Sequence, residues 1–131
     1  MGVTIFKFSF PGDSKLLVDR IHHWMNSTPE GNRYNLHKRT PGSVICLKRG
    51  MGLITAPIVF EFHIMAESEE HSDVYAIGYA RAFGIGPITG LKSSLKADAL
   101  TGTLPRRNGW KDMIKVIDYI GVDQYTHSFE S

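Results

Sequence analysis

The sequence contains very little cysteine. Cys46 is the single cysteine among 131 residues, so no disulfide can form within the chain. Small secreted domains commonly depend on several disulfides, whereas a reducing compartment keeps thiols free. We therefore expect a cytoplasmic protein in which Cys46, inside an apolar strand-like run, is a small core residue.

Long hydrophobic runs are also absent. No apolar stretch approaches the roughly 20 residues that cross a bilayer as a helix, and the first residues, MGVTIFKFSFPGD, lack the basic segment of a signal peptide. We therefore expect no membrane span. The hydrophobic content of 42% is ordinary for a folded domain. We expect a single domain over residues 1–121, followed by a loose polar tail over 122–131.

The net charge is only +2, but it is unevenly distributed. Residues 33–49 hold five basic and no acidic side chains, and residues 61–73 hold five acidic and no basic ones. These two regions could steer a partner or pair head to tail, or they are solvated hairpin tips. The basic region makes nucleic-acid binding an alternative function, although +2 is low for that role. The residues that would contact phosphate are Lys38, Arg39, Lys48, Arg49, Arg106 and Arg107.

The common motifs of catalysis and metal binding are missing. The six histidines form no His-x-x-x-His pattern and there is no Cys-x-x-Cys, so we expect no metal and no cofactor. There is no Gly-x-Ser-x-Gly nucleophile motif either. Glu61 and His63 share one face of a predicted strand and could form a base with an orienting carboxylate. Because phenylalanines occupy the opposite face, we expect this pair to face solvent and do not favour an enzyme.

One hexapeptide pattern, Gly-x-Gly-x-Ile-Thr, occurs twice, at residues 50–55 and 84–89. A glycine-rich loop before a helix can bind phosphate. However, Leu91 separates Gly90 from Lys92, which breaks the P-loop spacing, and Pro87 lacks an N–H. We therefore interpret both copies as bends at strand ends.

Periodicity predicts five strands and two main helices. Alternation with period two predicts strands in VTIFKFSF, RYNLHKR, SVICLKR, PIVFEFHIMAE and SDVYAIGYARAFG. Helical spacing of apolar residues predicts a helix in SKLLVDRIHHWMNST, after the candidate cap Asp13 and broken by Pro29 and Gly31. A second helix is predicted in NGWKDMIKVIDYIG, from the candidate cap Asn108 to a stop at Gly121, and a short one in TGLKSSLKADAL.

This order of elements predicts an α+β fold. We expect a mostly antiparallel five-stranded sheet in β-α-β4-α order, with the helices packed on one face. In element order the chain resembles helix-grip and TATA-binding-protein-like domains, in which a curved antiparallel sheet wraps a long C-terminal helix. The resemblance implies a fold alone, because no family motif accompanies it, and it carries over no activity and no site.

One apolar stripe on the C-terminal helix predicts that this helix packs on the sheet. Its spacing is continuous over three turns, and charged side chains occupy the other face. The stripe consists of Trp110, Met113, Ile114, Ile117 and Ile120, and the charged face of Lys111, Asp112, Lys115 and Asp118.

The last strand supplies our first functional hypothesis. Alternation places Tyr75, Ile77, Tyr79 and Arg81 on one face, which we assign to the helices. A charge there must lie at the rim or bind an acid. We therefore predict a non-enzymatic binding protein for a small apolar or amphipathic ligand held between the sheet and the C-terminal helix, the alternative being that these aromatics only fill the core. The predicted ligand-binding residues are Arg81, Tyr79, Phe60, Phe62 and Trp110.

The other face of that strand carries small residues only: Ala76, Gly78, Ala80 and Ala82. A flat uncharged surface of this kind invites another layer. A homodimer or other assembly through Ala76–Ala82 is thus the remaining alternative.

Overall fold

The computed structural model describes residues 3–48, 58–81, 92–94 and 103–130. Within these ranges the chain forms seven strands, two α-helices and one short 3-10 turn. In order these are β1 (Val3–Phe10), α1 (Ser14–Ser27), the turn Gly31–Arg33, β2 (Asn35–Thr40), β3 (Ser43–Lys48), β4 (Ile58–Glu67), β5 (Ser72–Arg81), β6 (Lys92–Ser94), α2 (Thr103–Tyr119) and β7 (Thr126–Glu130).

The strands form one antiparallel sheet, as the sequence predicts for an α+β fold. Six strands follow the order β2-β3-β4-β5-β1-β7, and the three-residue β6 pairs with β5. The predicted number of five strands is therefore too low. The expected loose tail is also wrong for Thr126–Glu130, which pairs with β1 from Lys7 back to Val3. This strand is polar and short, so backbone pairing rather than an apolar alternation identifies it.

The short helix predicted in TGLKSSLKADAL is wrong at residues 92–94, where the chain forms β6. Its apolar spacing covers too few residues to distinguish a helix from irregular chain, and local propensity yields to sheet pairing. The rest of that segment lies outside the described residues, as do both Gly-x-Gly-x-Ile-Thr copies.

The register of β4 and β5 decides which side chains share a face. Phe60 pairs with Gly78, and Phe62 with Ala76; on the other side of β5, Phe6 also pairs with Ala76. The small residues of β5 therefore lie between two phenylalanine-bearing strands. We call this side of the sheet the inner face, because the buried side chains of both helices belong to the same core cluster.

Two predictions about β5 are corrected by this register. Ala76 is fully buried in the core and Gly78 is buried as well, so this part of the predicted small-residue face is not exposed, while Ala82 lies outside the described residues. Tyr79 lies on the other side of the sheet, opposite Val59, and not under the helices. The physical reason is volume, because large side chains on three adjacent strands would overfill the space beneath the helices, whereas alternating large and small residues fill it.

Helix α1 begins and ends as predicted. The side chain of Asp13 accepts a hydrogen bond of 2.9 Å from the N–H of Leu16, which caps the first turn. The side chains of Leu17, Ile21 and Trp24 are buried on the inner face. At the far end Gly31 approaches the backbone so closely that a Cβ there would lie 1.9 Å from the carbonyl oxygen of Trp24, which excludes any larger residue.

Helix α2 begins five residues before the predicted cap Asn108. Pro105 lies in its first turn, where a missing N–H costs nothing. The helix stops as predicted at Gly121, whose φ of 93° is readily adopted by glycine. The N–H groups of Gly121 and Val122 bond back to the carbonyls of Asp118 and Ile117, which closes the helix end.

The apolar stripe of α2 packs against the sheet as predicted. Met113, Ile117 and Ile120 are fully buried, and Trp110 and Ile114 pack at the margin of the core. Asp112 is the exception, because it is only 7% exposed rather than on the solvent face. Neither described helix is long and apolar enough to span a bilayer.

Candidate functional site

The face of the sheet opposite the described helices, here called the outer face, brings polar and apolar side chains together. Cross-strand pairing arranges them in three rows. The upper row is Ser43, His63, Tyr75 and Lys7; the middle row is Ile45, Glu61, Ile77 and Ile5; and the lower row is Leu47, Val59 and Tyr79.

Glu61 occupies the middle of the outer face, between Ile45 and Ile77 on the neighbouring strands. The Nε2 atom of His63 lies 3.0 Å from one carboxylate oxygen, and the hydroxyl of Tyr79 donates to the other at 2.5 Å. Both oxygens of Glu61 are thus oriented by side chains from two paired strands. We call Glu61, His63 and Tyr79 the outer cluster.

The outer cluster is open to solvent at His63 and buried at Tyr79, which is only 6% exposed. The side chain of His63 is 34% exposed and that of Glu61 19% exposed. A histidine whose ring is held by a carboxylate can accept or donate a proton through its other nitrogen. The hydroxyl of Ser43, across the strand from His63, shares a 2.6 Å hydrogen bond with Thr40 instead. Ser43 is therefore not hydrogen-bonded to His63 as a nucleophile to its base.

The positively charged side chain of Lys7 lies at the rim of the outer face. The ammonium nitrogen of Lys7 is 5.1 Å from the centroid of the Tyr75 ring, within the range of a cation–π contact. Ile5, Ile45, Tyr75 and Ile77 are each partly exposed, so an accessible and largely apolar surface lies beside Glu61 and His63.

The five predicted ligand-binding residues are not brought to one site. Phe60, Phe62 and Trp110 belong to the inner side, where Phe60 stacks on Tyr34 with a centroid distance of 4.8 Å. Tyr79 lies on the outer face. The backbone of Arg81 pairs with Lys92 at the end of β5. Tyr79 therefore does not line the predicted pocket between the sheet and α2, and the two phenylalanines predicted to line it pack within the core.

The predicted nucleic-acid residues are divided as well. Lys38 pairs with Ile45 on the outer side, whereas Arg39 pairs with Val44 on the inner side. Lys48 lies 3.8 Å from the carboxylate of Asp112. Arg49 is outside the described residues, and Arg106 and Arg107 lie in the first turns of α2.

A second polar cluster, not predicted from the sequence, lies on the inner side. The hydroxyl of Tyr34 donates a 2.9 Å hydrogen bond to Asp112, 78 residues away in the chain. We call Tyr34, Lys48 and Asp112 the inner cluster. Burial raises the pKa of Asp112 although Tyr34 and Lys48 act to lower it, and burial beside Asp112 raises the pKa of Tyr34 well above its usual value.

The inner cluster was invisible to sequence periodicity for a physical reason. A charged residue on a helix is expected to face solvent, and its partners here come from a turn and from a strand distant in the chain. Glu61 and His63, in contrast, are two residues apart in one strand, so their shared face was predictable.

Among the residues that the structure describes, no group of three or more His, Cys, Asp and Glu side chains is placed to hold a metal ion. No family model and no curated protein match the sequence, and no solved structure matches the fold. The class that the geometry defines is an α+β protein whose sheet is covered by two helices on its inner face and carries a polar cluster on its outer face.

Proposed function

We propose that this chain is a non-enzymatic binding domain for a small apolar or amphipathic ligand, and that the ligand lies on the outer face of the sheet. The observation that carries the proposal is the position of Glu61, whose carboxylate is held by His63 and Tyr79 and lies between Ile45 and Ile77. Apolar side chains offer contact area, and one oriented polar group offers specificity.

This location differs from the interior site that the sequence suggests. Phe6, Phe60 and Phe62 are at most 1% exposed, so these rings already fill the inner face with one another and with the helices. A ligand there would have to displace close-packed side chains. On the outer face, Ile45 and Ile77 are already partly exposed and need no displacement.

A titration with 1-hexanol, a small neutral amphiphile, tests the proposal by NMR. We expect saturable shifts of the backbone amides of Ile45, Glu61 and Ile77. In the variant Ile77→Lys these amide shifts should no longer saturate, because a charged side chain in the apolar surface would prevent binding of 1-hexanol. The matched control is Met65→Lys, since Met65 is 59% exposed at the end of β4 and its replacement should leave binding unchanged.

The titration has two outcomes that contradict the proposal. Shifts concentrated at Met113, Ile117 and Phe60 would place the ligand between sheet and α2. Shifts that grow linearly and spread over the whole surface would mean that no binding site for an amphiphile exists on the outer face.

Nucleic-acid binding has weaker support, because Lys38 and Arg39 are exposed but belong to opposite sides of the sheet. An affinity for single-stranded or duplex DNA that falls steeply with salt would favour it over the ligand hypothesis.

Two finer proposals concern fold and location. A helix-grip-like arrangement is supported by the packing of α2 against β4 and β5. Superposition of a crystal structure of this chain on a helix-grip domain would test it. A reducing, cytoplasmic location is supported by the free, buried Cys46, and localisation of the tagged protein would test it.

A further inference from the structure

A groove lies at the other margin of the molecule, between α1 and the edge strand β2. It is open to solvent and has a volume of about 430 Å³, which is within the range of small-molecule sites. The lining residues are Val18, Asp19, His22, His23, Asn26, Leu36 and Arg39. The groove lies on the inner side of the sheet and shares none of these residues with the outer cluster.

A β-bulge in β2 builds this groove. Leu36 pairs with Cys46 and Lys38 with Ile45, so His37 is an extra residue between them. In a regular strand Leu36 and Arg39, three positions apart, would face opposite sides. The bulge turns both toward α1, and bulges are known to re-aim side chains at functional sites.

The groove combines an apolar floor with hydrogen-bonding walls. The floor is formed by Val18, which is 7% exposed, and by Leu36, which is 40% exposed. On α1, His22 and Asn26 are one turn apart, and their side-chain nitrogens are 3.5 Å apart. The neighbouring His23 is engaged with the hydroxyl of Tyr119.

Two charged side chains line the groove, Arg39 and Asp19, and the basic one, Arg39, is the group that can bind an anion. It is exposed, and among the described residues it forms no hydrogen bond or ion pair. The planar guanidinium matches carboxylate geometry with two parallel hydrogen bonds. A carboxylate at Arg39 would place the apolar body of the same molecule over Val18 and Leu36.

We propose that the groove between α1 and β2 binds a small carboxylate-bearing ligand with an apolar body, held by Arg39 and the floor of Val18 and Leu36. Asp19 also lines the groove and opposes an anion by charge repulsion. Its presence limits the affinity and supplies an independent test.

Sodium benzoate is the probe, and benzylammonium of similar shape is its cationic counterpart. We expect benzoate to shift the backbone amides of Asn26, Leu36 and Arg39 saturably, and benzylammonium to bind there more weakly. Replacement Arg39→Gln should weaken benzoate binding about tenfold, because a charge-assisted hydrogen bond is lost. The control Lys38→Gln removes the same charge one residue away on the outer side and should change the affinity less than about twofold.

A second variant keeps the proposal testable if Arg39→Gln perturbs the edge strand. Replacement Asp19→Asn on α1 should tighten benzoate binding about two- to threefold by removing repulsion. The proposal is overturned if both Arg39→Gln and Lys38→Gln weaken binding equally, if benzylammonium binds as well as benzoate, if Asp19→Asn leaves the affinity unchanged or lower, or if the groove amides do not shift.

Discussion

Two carboxylate clusters occupy opposite sides of the same sheet. On the inner side Asp112 accepts a hydrogen bond from Tyr34 at 2.9 Å, and on the outer face Glu61 accepts one from Tyr79 at 2.5 Å. The chemistry of the two pairs is the same, but their surroundings differ. The side chain of Asp112 is 10% exposed and that of Glu61 is 19% exposed, and the outer cluster also includes a one-third-exposed histidine.

The difference separates a structural cluster from a candidate binding site. The inner cluster joins elements that are far apart in the chain, because Tyr34 follows the 3-10 turn and also packs against Trp24 with a centroid distance of 5.3 Å. The outer cluster joins two neighbouring strands that backbone hydrogen bonds already hold together. Removing the inner cluster should therefore affect stability, and removing the outer cluster should mainly affect binding.

The largest expected contrast between the two faces is the reactivity of a thiol. Cys46 is fully buried, and burial raises its pKa from 9.0 to about 12, so the thiolate fraction below pH 9 falls about a thousandfold. We expect iodoacetamide to label the native protein at pH 8 only as fast as it unfolds. In the double variant Ile45→Cys, Cys46→Ala the thiol lies one residue away on the outer face and should react readily. Comparable labelling rates would contradict the assignment of faces.

The next contrast concerns isoleucines on the two faces. Ile117→Ala removes a fully buried side chain beneath the sheet and should lower the free energy of unfolding by about 2–5 kcal/mol, since transfer energy is lost and a cavity is left. Ile77→Ala, on the partly exposed outer face, should cost clearly less. Denaturant midpoints measure both, and the exposed Lys115→Ala is a control expected to change little. Equal midpoint shifts for Ile117 and Ile77 would refute the two-face description.

The two tyrosines give a smaller contrast. Tyr34→Phe removes the hydrogen bond to the buried carboxylate of Asp112, which keeps only the Lys48 ammonium at 3.8 Å, and should reduce the free energy of unfolding by about 1–3 kcal/mol. Tyr79→Phe should cost less, because Glu61 retains His63 and access to water. If guanidinium denaturation found Tyr79→Phe the more damaging change, the outer cluster would have to be regarded as structural.

The smallest effect is a pH dependence of the inner cluster. Folding raises the pKa of Asp112 above its usual 3.8 through burial, so protonation favours the folded state. Its stabilising contribution is complete below pH 3.8 and is lost as the pH rises through the raised pKa. As the pH rises through that window, the free energy of unfolding of the wild type should fall relative to that of Asp112→Asn. Above the raised pKa the difference between the two should stay constant.

The same pH measurement can be repeated in proteins that also carry Tyr34→Phe. The hydrogen bond from Tyr34 lowers the pKa of Asp112, so its removal should extend the window to higher pH. A difference between wild type and Asp112→Asn that is constant with pH, or that changes in the opposite direction, would show that Asp112 is not buried in the folded protein.

Several parts of the fold could be predicted because they depend on neighbours in the chain. The helix cap at Asp13 and the stop at Gly121 follow from local backbone chemistry. The shared face of Glu61 and His63 follows from strand periodicity. Strand β7 was missed because its polar sequence has no apolar alternation to identify it.

The sequence by itself determined the positions of the main helices and strands and the buried stripe of α2, because periodicity records how much of each element faces a core. Only the tertiary structure decided which face of β5 is inside. The alternation of Tyr79 with Gly78 is compatible with either orientation, and the pairing of Gly78 with Phe60 selects one. Likewise, the burial of Asp112 and the turning of Arg39 toward α1 depend on partners and on a bulge that no single segment specifies.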